Sequence, residues 1–263
     1  MKIYTIEELN NIPEGITELD ISRLGLTTLP KLPQSLTKLI CSSNQLTSLD
    51  NLPQSLTILN CGINKLTSLD NLPSDLTYLN CYSNKLTSLD NLPQSLTELD
   101  CHSNKLTSLD KLPQGLTKLS CRYNKLTSLN KLPQGLIILS CSHNNIIHLD
   151  NLPQDLIELF CSNNNLTSLI LPQSLTNLNC CSNQLTSLDN LPSDLTYLNC
   201  YSNKLTSLDI AHCIKLEHLH CINNNFIEEI QVIINNNDLT TQDKIIKLID
   251  GCLIPYDNSF VLK

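Results

Sequence analysis

Cysteine is the residue type here best able to do chemistry, as metal ligand, disulfide former or nucleophile. There are thirteen, and ten fall in one recurring slot: Cys41, Cys61, Cys81, Cys101, Cys121, Cys141, Cys161, Cys180, Cys200 and Cys221. A fixed slot of this kind belongs to a framework, so these thiols read as small apolar core residues. Sulfurs stacked on parallel vectors make poor disulfides, and no Cys-x-x-Cys pair supports zinc. Unpaired thiols in this number favour a reducing compartment, and hence a cytoplasmic location. Cys181, beside Cys180, falls on the opposite face and is the expected reactive thiol; Cys213 and Cys252 have no assigned role. His212, Cys213, His218, His220 and Cys221 cluster late in the chain and raise a soft-metal site. Alternation along an extended segment separates His218 and His220 from Cys221, so no metal is assigned. Asp50, Asp70, Asp90, Asp110, Asp150, Asp189 and Asp209 form a column. Stacked carboxylates repel and could invite a cation, but each reads as an Asx turn before Asn-Leu-Pro. No catalytic constellation appears, so the chain is read as a non-enzyme with no cofactor.

What positions these residues is a repeat. The chain returns on itself about every twenty residues, with units beginning at Ile16, Leu36, Leu56, Leu76, Leu96, Leu116, Leu136, Leu156, Leu175 and Leu195 and a truncated one at Leu216. Leu-x-Leu spacing at the head of each unit predicts a short strand with alternate residues buried. An Asn follows three residues after the Cys slot, from Asn44 to Asn224, with Leu24 in its place in the first coil. With two donors and an acceptor group, that Asn suits bonding to the backbone of neighbouring coils. Leu46 and Leu49 then turn inward again, and Leu52-Pro53 closes the coil. Proline and the short span forbid a helix there, which predicts an extended or polyproline-like outer side. The expectation is a curved solenoid of about eleven parallel strands, roughly 50 Å long, with the strands on its concave face.

The pattern L-x-x-L-x-C-x-x-N-x-L is that of a leucine-rich repeat. The full unit, L-x-x-L-x-C-x-x-N-x-L-T-S-L-D-x-L-P-x-x, resembles the short repeat of enterobacterial effectors and the cysteine-bearing units of giant-virus proteins of the mimivirus kind. The resemblance spans residues 6–230 and implies fold more than function. Lys outnumbers Arg 15 to 2, as an AT-rich genome would have it. Effector ubiquitin ligases keep their catalytic Cys in a large separate domain, for which the residues after the last strand leave no room, so ligase activity is not carried to Cys252.

Composition narrows the rest. Six glycines argue against dinucleotide folds and P-loops. A net charge of −8 and a pI near 5.1 argue against nucleic acid as partner. No run of 18 apolar residues suggests a membrane span, and Met1–Leu9 does not read as a signal peptide. Residues 1–15 are expected to cap the solenoid with a half repeat, residues 16–230 to form it, and residues 231–263 to cap the other end. In that last part 240–251 reads as a short amphipathic helix, N-capped by Thr240 or Thr241 and ended by Gly251.

The third, fifth, seventh and eighth residues of each unit vary and should share the concave face. Five of seven tyrosines fall there: Tyr78, Tyr82, Tyr123, Tyr197 and Tyr201. His102 and Arg122 join them. Tyr and Arg dominate binding hot spots, so these seven residues are the candidate partner-binding surface of a monomeric protein-interaction module, with a host protein as one candidate partner. The plain alternative is drift on a solvated face, sharpened because residues 190–209 are identical to 71–90. A structural or virion-associated solenoid is the other reading.

Overall fold

The computed structural model describes residues 1–226, 240, 243, 253–256 and 259–262. Eleven strands of three residues each follow one another, parallel and in chain order. The chain divides into two compact units, Met1–Leu126 with Lys131–Leu136, and Thr127–Asn130 with Ile137–Lys263.

The first unit carries β1 (Glu18–Asp20), β2 (Lys38–Ile40), β3 (Ile58–Asn60), β4 (Tyr78–Asn80), β5 (Glu98–Asp100) and β6 (Lys118–Ser120). They pair in register at a twenty-residue offset, so that Tyr78 stands between Ile58 and Glu98. In each strand the central Leu is buried and its two neighbours face outward. Leu36, Leu39, Cys41 and Leu46 of one coil have no exposed surface, and later coils repeat this. Each buried Leu contributes roughly 1.5–3 kcal/mol. Met1–Ile3 runs beside β1, with Ile3 buried and its N–H donating to the Asp20 carbonyl. A single 3-10 turn follows at Glu7–Asn11.

The second unit carries β7 (Ile138–Ser140), β8 (Glu158–Phe160), β9 (Asn177–Asn179), β10 (Tyr197–Asn199) and β11 (His218–His220). The coil missing one residue keeps its strand in register, Glu158 opposite Asn177, because the change falls in the outer segment. Among the described residues, the outer segments of the coils hold bends and turns and no helix.

The Asn column does what its chemistry required. Asn104 is buried; its Nδ2 donates to the carbonyls of Cys81 and Cys101, and its Oδ1 accepts the Leu86 N–H. Asn164 repeats this with Cys141, Cys161 and Ile146. At the first coil, Asn44 accepts from both Leu24 and Leu26 N–H, so the coil that lacks its own Asn is served by the next.

The helical cap expected over 240–251 falls almost entirely outside the described residues and is not shown. Thr240 and Asp243 do make the reciprocal bonds of a capping box, Thr240 Oγ1 accepting the Asp243 N–H. The described element at the C-terminus is an antiparallel pair, β12 (Leu253–Tyr256) with β13 (Ser259–Leu262), which the sequence reading did not anticipate.

Candidate partner-binding surface on the strand face

In the first unit the strand face brings Tyr78, Tyr82, His102, Arg122 and Tyr123 onto three consecutive coils. Tyr82 and His102 are half-buried, and their rings stack 4.8 Å apart at 17°. Tyr82 also packs against Gly62, where any β-carbon would collide with its Cε1 and Cδ1. His102 is pinned at its other side: Asp100 Oδ1 takes the His102 N–H at 3.2 Å and stands 2.7 Å from Nδ1. Arg122 is exposed, and Tyr123 is 51% exposed.

The second unit holds Tyr197 and Tyr201. Tyr197 stands against His218, rings 6.0 Å apart and tilted by 51°. Tyr201 is 40% exposed, and its hydroxyl accepts from Asn223 Nδ2. Among the described residues no stacked ring covers it as His102 covers Tyr82, although the two tyrosines sit in identical twenty-residue segments.

One structural role on this face escaped the sequence reading. The fifth-slot residues Asn60, Asn80, Asp100, Asn179 and Asn199 each accept the N–H two residues on, closing an Asx turn at the strand end. The Asp column assigned to Asx turns bonds otherwise: Asp50, Asp70 and Asp189 accept the hydroxyl of the serine two residues before. Asp209 does accept the Ala211 N–H. The left-handed residue in the turn is the following Asn at 51, 71, 151 and 190.

The ten slot cysteines are buried. Burial pushes the thiols of Cys61, Cys141 and Cys180 up to about 12. It likewise raises Cys41, Cys81, Cys161 and Cys200, with neighbouring thiols adding repulsion. Cys181 is half-buried. His218 and His220 are exposed while Cys213 and Cys221 are buried, and His212 bonds the Leu191 carbonyl. No three His, Cys, Asp or Glu among the described residues come together as a metal site. No helix among them is long and apolar enough to cross a membrane.

No protein-family model and no curated protein sequence matches the chain. Solved structures do. The functional domain of InlJ from Listeria monocytogenes, described as including a cysteine ladder, is 42% identical with a TM-score of 0.74, covering 83% of this chain and 52% of that one. YopM from Yersinia enterocolitica is 30% identical with a TM-score of 0.64, covering 82% and 57%. A Shigella effector leucine-rich-repeat domain is 36% identical with a TM-score of 0.54, covering 62% and 74%. The chain thus spans little more than half the length of the InlJ and YopM structures. A cysteine ladder occurs in a bacterial protein too, so the Cys slot is not peculiar to giant-virus units.

Proposed function

The chain belongs to the leucine-rich-repeat proteins, and from that premise we propose that it is a non-enzymatic, monomeric interaction module that binds a protein partner on the outward face of its strands. The observation that carries this is the ordered group on the first unit: a stacked Tyr82–His102 pair with Arg122 and Tyr123 exposed on the next coil. Core slots repeat almost unchanged, while the outward slots vary from coil to coil. Aromatic rings held in place give large contact area at low entropic cost, and Tyr and Arg lead hot-spot composition. One similar structure is described as an effector domain, which favours a host protein as partner. Cysteines recurring as buried core residues, with no disulfide framework in their spacing, favour a reducing cytoplasm.

The test compares two double variants in affinity capture with mass spectrometry. Tyr82→Ala with Tyr123→Ala should weaken a discrete partner by more than about 2 kcal/mol, the hot-spot scale. Lys85→Ala with Lys125→Ala, on an exposed column, should leave capture intact, since exposed charges contribute little. The reverse result places binding on another face.

A further inference from the structure

The charges on the strand face of the first unit are unevenly committed. Its four carboxylates each have a cationic or ring-nitrogen partner: Glu18 with Lys38, Asp20 with Lys2, Glu98 with Lys118 and Asp100 with His102, at 2.7–3.4 Å. Burial alone would raise the Asp20 carboxyl, but the Ser22 hydroxyl and N–H and the Lys2 ammonium outweigh it and hold it below the usual range. Arg122 is exposed and has no acidic partner among the described residues. Beside its aromatic pair this face therefore leaves one cation, Arg122, without an acidic partner, in a chain whose net charge is −8.

We infer that the first unit holds a site for an acidic peptide segment, in which the Tyr82–His102 pair receives an apolar side chain and Arg122 a neighbouring carboxylate. This rests on the strand-face reading above and names the chemistry of its partner. Guanidinium is the group suited to such a carboxylate, because it can bind it through two parallel hydrogen bonds. Repulsion from the rest of the acidic chain does not decide against it, since charges beyond about 8 Å are screened at physiological salt.

Two residues that need not touch the peptide position the site. Gly62, having no β-carbon, leaves the space the Tyr82 ring fills; Asp100 holds the His102 ring stacked on it. The identical segment in the second unit lacks both supports. Cys181 occupies the place of Gly62, His220 that of Asp100 and Ile222 that of His102, and the Tyr201 hydroxyl turns to Asn223. Tyr201 is therefore not a second copy of the site.

The experiment pans a displayed random-peptide library on the whole protein. Expected winners carry Asp or Glu next to an aromatic or aliphatic residue. A synthetic winner should lose at least about tenfold in affinity with Arg122→Ala, the loss of roughly 1.4 kcal/mol or more, and recover in part with Arg122→Lys. Gly62→Ala should cause a similar loss, and in NMR spectra the His102 ring protons, shifted upfield by Tyr82, should return toward their free positions. Lys85→Ala should change neither. Enrichment of basic or neutral peptides, no enrichment, or a winner indifferent to Arg122→Ala overturns the acidic-peptide site. Normal His102 shifts in the unaltered protein, or unchanged binding in Gly62→Ala, overturn the positioning role. The broader strand-face reading fails separately, only if the Tyr82/Tyr123 variant keeps its protein partner.

Discussion

A buried Asn tests the structure residue by residue. Asn104→Leu would strand the Leu86 N–H and remove a donor from the carbonyls of Cys81 and Cys101. Leaving a buried polar group unmet costs on the order of 1–3 kcal/mol, so urea denaturation of the variant should show a loss of at least that size. The thiols make a second prediction, with a definite sign. Cys61, Cys141 and Cys180 titrate near 12 when folded against 9.0 for a free thiol. Below about pH 9 both states keep the proton and no stability is lost. Above it the unfolded chain releases protons that the folded chain holds, so stability falls as pH rises toward 12. The slope is up to about 1.4 kcal/mol per pH unit for each thiol. Melting temperatures measured from pH 7 to 11 should drop steeply past 9, and Cys61→Val should make the fall shallower. Both roles were legible in the sequence, because a polar or thiol residue locked to the repeat period has one inward position to occupy.

The coil is less transparent than its residues. The eighth slot, read as a variable face position, is a left-handed turn residue: Ser43, Ile63, Ser83, Ser103 and Tyr123 in the first unit all have φ between 50° and 58°. The recurrent Ser and Asn in that slot were the available signal, and Ile63 and Tyr123 obscured it. Left-handed backbone costs an ordinary L-residue roughly 1–2 kcal/mol, and Asn tolerates it better. Ile63 is β-branched and 44% exposed, so it loses little burial on replacement. Ile63→Asn should raise stability by about 1 kcal/mol, visible as a higher melting temperature. An unchanged or lower one would mean that Ile63 makes contacts outweighing its strain. The fifth-slot Asx turn was hidden for a different reason. Asp or Asn recurs in two columns of the repeat, and composition alone does not say which one meets a backbone N–H.

For the whole chain, a repeat whose strands pair with sequence neighbours should tolerate loss of a complete period. Within the first unit, deleting residues 76–95 joins Asp75 to Leu96 and keeps every remaining slot in phase. That variant should fold cooperatively with a lower melting temperature. Deleting 86–95 alone puts inward and outward slots out of step and should abolish cooperative melting by circular dichroism. This much follows from the sequence, because periodicity alone assigns each Leu, Cys and Asn to the interior and so determines parallel, stacked strands. The surface does not follow in the same way. Residues 71–90 and 190–209 are identical, yet Tyr82 lies under His102 and over Gly62 while Tyr201 is open and bonded to Asn223. A buried side chain meets the same repeat residues in every coil, so its own segment specifies its surroundings. An outward side chain meets whatever varies on the coils before and after it, residues twenty positions away that only the stacking of the chain brings alongside.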